Sequence, residues 1–501
     1  MDATSWLPLA VVLSSMVPGI LIFTLDEDQR IQRTILNLAG ALLKLVFIAV
    51  MLFGVYQGVE YETRFPLMPG FDLVLDGSAL PMFFVTLSGV LWLITTVYAI
   101  GYLDLEKSWH RSRFFGYFSI CVSATTGIAL SGNFFTLIIF YELLTLTTYP
   151  LVVHNGTKQA MAAGKVYLGY TLVGGVLLLV AAVWLHALVG PFDFQEGGVL
   201  AAFDEEYRAL FVVIFLMLLM GFGVKAALVP FHSWLPIAMV APAPVSALLH
   251  AVAVVKAGAY GIVRTIYDVF GVHYVADLGL GHVITVVAAV TIIYGSCQAL
   301  AQDGLKRRLA FSTVSQVSYI ILGVGLIGPV AAVGGIVHLV HQGLMKITLF
   351  FCAGNIAETL GLHRISQMGG IASRMPWTMA AFTVACLGMI GVPPLAGFVS
   401  KWYLAMGAVD VEQYWVLAVL AGSTVLNAAY FLPILYTAYF GRAIRPWPRD
   451  EASGRLETRP TLLWPTIATA VLVILAGLFA GSTFSPVEWV EIVIVRIQPS
   501  W

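Results

Sequence analysis

Fourteen stretches of about twenty mostly apolar residues run through this chain, each bounded by charge or by Gly and Pro. That is the length an α-helix needs to cross a bilayer. They lie near residues 6–25, 34–56, 79–101, 114–131, 133–153, 165–189, 208–230, 242–264, 281–301, 309–327, 330–357, 377–401, 413–440 and 461–481. The expected fold class is an all-α polytopic membrane protein of about fourteen transmembrane helices. Composition closes off the soluble alternative. Only 11% of the 501 residues are charged and 59% are hydrophobic, against about 25% charged in an ordinary soluble domain. The first stretch lacks a basic n-region and a small-residue cleavage site, so it is expected to be a retained helix.

The charges between the stretches test that count. With the N-terminus outside, the loops expected in the cytoplasm carry sixteen basic residues: Arg30, Arg33, Lys107, Arg111, Arg113, Lys158, Lys306, Arg307, Arg308, Arg364, Arg374, Arg442, Arg445, Arg449, Arg455 and Arg459. The other side carries four, Arg64, Arg208, Arg264 and Arg496, among acid-rich loops that include Glu60, Glu62, Asp72, Asp76, Asp193, Glu196, Asp204, Glu205 and Glu206. This asymmetry follows the positive-inside rule, and one span too many or too few would reverse it in every later loop. Both termini are therefore expected outside.

Cys121, Cys297, Cys352 and Cys386 fall in apolar runs with no CxxC pair, which argues against disulfide, zinc or iron–sulfur ligation. No Gly-rich phosphate loop stands in a strand-turn-helix context. The chain is thus expected to hold no cofactor or metal and to be no enzyme itself; any redox or ATP chemistry belongs to a partner. The net charge of −1 gives no reason to expect nucleic acid.

Of the 26 basic residues, six lysines remain in or at the ends of spans: Lys44, Lys165, Lys225, Lys256, Lys346 and Lys401. Glu142 is the acid placed well inside a span. A charge at the bilayer centre costs at least about 2.5–3.5 kcal/mol, so such groups face protein, water or each other and mark function. Two spans are also interrupted. Span seven reads GFGVKAALVPFHSWLP, with Pro230 and Pro236 after Lys225; span twelve reads GMIGVPPLAGFVSKWYL, with Pro393 and Pro394 before Lys401. Broken helices leave unpaired backbone groups, tolerated in a membrane only around a cavity or polar path. The spacing of the breaks predicts two inverted five-helix repeats, spans 4–8 and 9–13. The expected organisation is residues 1–113, an N-terminal three-helix segment; 114–264, the first repeat; 265–440, the second; and 441–501, a loop, last helix and tail.

Glu142 in FYELLTLTTYPLV is expected to pair with Lys225, which would gain and lose a proton; an opposite charge within about 4–6 Å favours the charged form. His250 and Lys256 share span eight, about 9 Å apart along the axis and roughly 120° apart around it. Water or another helix must join them. His338, Gln342 and Lys346 recur every fourth residue on span eleven, with His341 beside them, and form one polar stripe. Lys401 either serves the broken helix or snorkels to the interface. Lys165 either reaches inward or marks a span start, and Lys44 has no acid nearby in sequence. The stretch DGLKRRLAFSTVSQ reads as a charged loop and helix start, orienting more than conducting.

Several strings carry a resemblance: FYE with Glu142, KAALVPFHSWLP with Lys225, PAPVSALL followed by Lys256 and AGAYGIVR, DGLKRRLAFSTVSQ, HLVHQGLMKITLF with Lys346, and GVPPLAGFVSK with Lys401. The chain resembles the proton-conducting antiporter-like family shared by Mrp-type cation/proton antiporters, complex I and membrane-bound hydrogenases, and within it the D-type subunits of the Mrp antiporters. The resemblance covers spans 4–13 well and the ends loosely. It implies that Glu142 and Lys225 form the coupling pair of a first half-channel, that His250 and Lys256 bridge toward the centre, that Lys346 serves the second half-channel and that Lys401 is its exit-side lysine. Gln342 stands where many members have a histidine, and His250 and Lys256 occur together.

The expectation is a proton-translocating subunit of a multi-subunit Mrp-type Na+(K+)/H+ antiporter in a prokaryotic inner membrane, working with other membrane subunits through a lysine, histidine and glutamate axis. The short sequence after span fourteen favours this D-type role. The alternatives are the same pump module in a complex I or membrane-bound hydrogenase, and an inorganic-carbon uptake subunit.

Overall fold

The computed structural model describes residues 3–106, 110–200, 203, 207–442, 446–450 and 456–497. Lys107, Asp204, Glu205, Glu206, Arg445 and Arg455 of the charge pattern lie outside the described residues.

Helices α1 (Ala3–Ile22), α2 (Arg30–Tyr56) and α3 (Ala79–Glu106) come first, with a hairpin of β1 (Glu62–Met68) and β2 (Phe71–Asp76) between α2 and α3. Next are α4 (Arg111–Ala129), α5 (Phe134–Val152), α6 (Lys158–Val189), α7 (Arg208–Lys225) and α8 (Ala243–Phe270). Then come α9 (Leu280–Leu300), α10 (Leu305–Gly325), α11 (Pro329–Leu360), α12 (Pro376–Ile390), α13 (Ala396–Asp410), α14 (Trp415–Phe440), α15 (Pro460–Leu478) and α16 (Pro486–Ile497). Eleven helices among the described residues are long and apolar enough to cross a membrane. The fourth and tenth expected spans are the helices α4 and α10, which carry more Ser, Thr and basic residues and fall outside that group. The twelfth is divided into α12 and α13.

The two interruptions differ in kind. Span seven ends as a helix at Lys225, not near residue 230: the N–H groups of Ala226 and Ala227 close on Phe222 and Val224 oxygens, and Ala227 turns the chain at φ 57°. Pro230 lies in the turn that follows, and Pro236 lies within a separate one-turn helix, Trp234–Ile237. At the second break Gly391 adopts φ 96°, open to a residue without Cβ, and Pro393 and Pro394 supply no N–H to continue the helix. The acidic loop expected after span two contains the antiparallel hairpin, pairing Glu62 with Asp76.

Helices α8 and α11 are buried along their whole apolar stretch, whereas α6 and α14 are buried over only a third of theirs. The first pair forms the core and the second pair lies on the outer rim of the chain. Close backbone approach fixes the core. A Cβ on Gly258 of α8 would stand 2.2 Å from the Ala226 nitrogen and 2.8 Å from the Lys225 carbonyl carbon. On Gly174 of α6 it would stand 3.0 Å from the Gly221 oxygen of α7.

The described loops pack against one another in two groups. At one end Leu305 N–H donates to His363 O, Arg449 N–H to Leu360 O and Gly370 N–H to Thr437 O. There two distant carboxylates cap helix N-termini: Glu27 accepts from the Arg111 and Ser112 N–H groups, and Glu457 from those of Trp377 and Thr378. At the other end Phe194 N–H donates to Gly132 O, Val199 N–H to Val269 O, and Arg64 meets Glu62, Asp72 and Asp193.

Candidate functional site

The buried lysines sit where the chain turns or where helices cross, because long-range packing brings a neutral oxygen to each amine. At the end of α7, Lys225 Nζ donates to the Tyr141 main-chain oxygen at 2.5 Å and lies 3.3 Å from the centroid of the Tyr141 ring. The Asn133 side chain starts α5, accepting from Thr136 N–H at 2.9 Å, and so sets the register that puts Tyr141 there. Glu142 faces α6, where its carboxylate fills the gap left by Gly175: a Cβ there would be 2.0 Å from Oε1. Glu142 Oε1 is buried and has no hydrogen-bond partner. Glu142 and Lys225 act on each other electrostatically, while the hydrogen bond of Lys225 goes to Tyr141.

Lys256, in the core helix α8, donates to Leu339 O of α11 at 2.7 Å. His250 lies one stretch earlier, in the π-helical turn Leu248–Val252. Its Nε2 is 3.3 Å from Met239 Sδ, and its ring stacks on Phe350 at 4.5 Å. On α11, Lys346 donates to Leu309 O at 3.0 Å and to Ser312 Oγ of α10. His338 bridges two helices, with Nδ1 2.8 Å from Ser400 Oγ of α13 and Nε2 3.1 Å from Gln316 Oε1 of α10. His341 and Gln342 are fully buried, and none of their side-chain nitrogen or oxygen atoms has a hydrogen-bond partner.

Lys401 reaches back across the second break to Met389 O and Ile390 O, both at 2.9 Å, at the negative end of α12. It lies 5.4 Å from the Tyr319 ring centroid. Lys165 is exposed on α6, apart from this set. Lys44 is fully buried, donating to Ser15 Oγ at 3.0 Å and Thr126 Oγ1 at 2.5 Å.

These contacts share one chemical property. A carbonyl or hydroxyl oxygen accepts a hydrogen bond from either an ammonium or a neutral amine, whereas a carboxylate in contact would hold the ammonium form. Lys225, Lys256, Lys346 and Lys401 can therefore lose and regain a proton without losing their anchors. Sequence reasoning missed those anchors. Leu309, Ser312 and Gln316 lie in the stretch DGLKRRLAFSTVSQ, expected to orient the chain; the structure puts them against Lys346 and His338. The spacing of Ser312 and Gln316, one turn apart in a helix of bilayer-spanning length, is the signal that could have found them.

A bundle of apolar helices long enough to cross a bilayer, with several amines buried inside it, defines an integral membrane protein. The chain belongs to the family described as NADH:quinone oxidoreductase/Mrp antiporter, transmembrane, which matches residues 131–427. It is 34% identical over 439 residues to the N-type subunit of the NADH-quinone oxidoreductase of Desulforudis audaxviator, covering 85% of this chain and 86% of that one. It is 26% identical over 481 residues to the D-type subunit of the Na(+)/H(+) antiporter of Alkalihalophilus pseudofirmus, covering 95% and 94%. In fold it is similar to a chain of the Mrp complex from Dietzia sp., with a TM-score of 0.85 at 23% identity over 100% of this chain and 98% of that one.

Proposed function

We propose that this chain is the proton-translocating subunit of a multi-subunit Mrp-type monovalent cation (Na+/K+)/proton antiporter. The observation that carries the reading is the set of four buried lysines, Lys225, Lys256, Lys346 and Lys401, each anchored on neutral oxygens. Protons would pass between them through water and the histidines His250 and His338, with Glu142 setting how strongly Lys225 holds its charge. The near end-to-end match to a D-type antiporter subunit supports the Mrp assignment. Other membrane subunits of the same complex are the partners. We place the chain in a prokaryotic inner membrane with both termini outside, and read spans 4–8 and 9–13 as inverted repeats, each carrying one half of the path around its broken helix. The membrane potential, worth about 2.3 kcal/mol per charge per 100 mV, would drive exchange.

The test is proton and Na+ flux in vesicles bearing the whole complex. Lys225→Ala and Glu142→Ala are each expected to abolish antiport while the complex still assembles; normal flux in both would sink the reading. The 34% identity to a quinone oxidoreductase subunit favours a second reading, the same module in a redox-driven complex. Affinity purification separates the two: small antiporter subunits support the first, quinone- or hydrogenase-type subunits the second.

A further inference from the structure

At the end of the bundle that carries the basic loops, a cavity of about 920 Å³ opens between α6, the 236–242 segment, the start of α10 and the last turns of α11. Its lining includes the polar side chains Gln159, Lys306, Glu358 and Arg449. Apolar side chains complete the wall, among them Met239, which is 8% exposed.

Behind Met239 stands His250. The Met239 Sδ is 3.3 Å from His250 Nε2, the imidazole is fully buried, and Nδ1 has no hydrogen-bond partner. His250 does not line the cavity. Met239 thus touches both an open volume and a buried titratable ring. That side chain is unbranched, with three rotatable bonds and a polarizable sulfur, so it can change place without a backbone shift. The thioether is only a weak acceptor and leaves the imidazole short of a strong partner. The π-helical turn that carries His250 is a local departure frequent at functional sites.

We propose that this cavity is the proton entrance of the protein and that Met239 is its gate, with cavity water reaching His250 when the thioether swings aside. The inference rests on the reading of the chain as proton-translocating. Beyond the gate, the His250 ring stacks on Phe350 of α11, one turn past Lys346, so a proton arriving at the imidazole stands beside the helix that carries Lys346. Met239 is a positioning residue here: it takes no proton and controls whether water meets the ring.

The test uses Met239→Cys in a Cys297→Ser background, because Cys121, Cys352 and Cys386 are buried and Cys297 is exposed. A charged, membrane-impermeant methanethiosulfonate is applied to vesicles bearing the assembled complex, and modification is read by mass spectrometry independently of transport. Modification is expected only from the basic-loop side, with proton flux at least 5-fold lower and restored by reductant. No modification from that side overturns the entrance, and modification with unchanged flux overturns the gate. Neither result touches the Lys225→Ala test of the parent reading. Met239→Ala is the second variant: a shortened gate is expected to raise uncoupled proton leak at least 2-fold, and an unchanged leak overturns the proposal.

Discussion

The Lys225 Nζ rests on the main-chain oxygen of Tyr141 and over the ring of the same residue, while Glu142, next in the chain, sends its carboxylate into the gap at Gly175. One residue step on α5 thus separates the group that holds the amine from the group that polarises it. Desolvated cation–π contacts are worth about 2 kcal/mol, a factor of roughly 30 in occupancy of the ammonium form. Tyr141→Leu is therefore expected to cut antiport at least 10-fold, and Tyr141→Phe, which keeps ring and carbonyl, less than 3-fold. Flux in vesicles containing equal amounts of assembled complex checks this; equal loss in both variants contradicts the ring's role.

Gly175 gives the Glu142 carboxylate its place. Because a Cβ would stand 2.0 Å from Oε1, Gly175→Ala must displace the carboxylate, the free end of a flexible side chain. The expected stability cost is about 1–3 kcal/mol or less, with a loss of antiport comparable to that of Glu142→Ala. Thermal unfolding and flux measured on one preparation separate the two effects. Wild-type flux in Gly175→Ala would show that carboxylate position is unimportant.

Lys401 holds the loose end of α12 as well as standing in the lysine row. Lys401→Met removes two hydrogen bonds to the carbonyls of Met389 and Ile390. With each hydrogen bond to a charged donor worth about 1.5–3 kcal/mol, the expected result is a lower midpoint of unfolding together with lost proton flux. An unchanged midpoint would mean water replaces the amine at those carbonyls.

At the end opposite the basic loops, two carboxyls outside the spanning helices titrate unusually. Burial pushes Asp76 above the usual carboxylate range although Arg264 pulls it down, and burial together with Asp76 pushes Glu196 up. The folded chain then binds these protons more tightly than the unfolded one. Their contribution to stability is largest below the ordinary carboxylate value and falls as pH rises through the elevated folded values. Amides bonded across this region, those of Phe194 and Val199, are expected to open more readily at about pH 8 than at about pH 4 once the intrinsic exchange rate is removed. Asp76→Asn should flatten the difference; an unaltered slope contradicts the assignment.

Much of this architecture is written in the chain, because a helix that crosses lipid must satisfy its own backbone and so announces itself in about twenty consecutive apolar residues. The position of the second break is equally legible, since Pro393 and Pro394 cannot donate. The residues that hold the amines are not. Tyr141 lies 84 positions from Lys225, and Leu339 lies 83 from Lys256; both present main-chain oxygens, which every residue has. Composition therefore carries no trace of them. The hairpin was hidden for another reason. Its strand ETRFPLM contains Pro66 and alternating charge, which read as loop until Arg64 is seen bound to Asp72 on the paired strand and Asp193 in a remote loop. Lys44 was isolated only in sequence: Ser15 and Thr126 reach it from two other helices.

The seam at Gly258 has a mechanical meaning. Where α8 lies backbone-on-backbone against the end of α7, no side chain is present to act as a bearing, and the segments bearing Lys225 and Lys256 are in effect welded together. Any rocking that alternately opens this protein to its two sides must pivot elsewhere. The proposed path between these two lysines would then rest on water and side chains alone, over a fixed gauge.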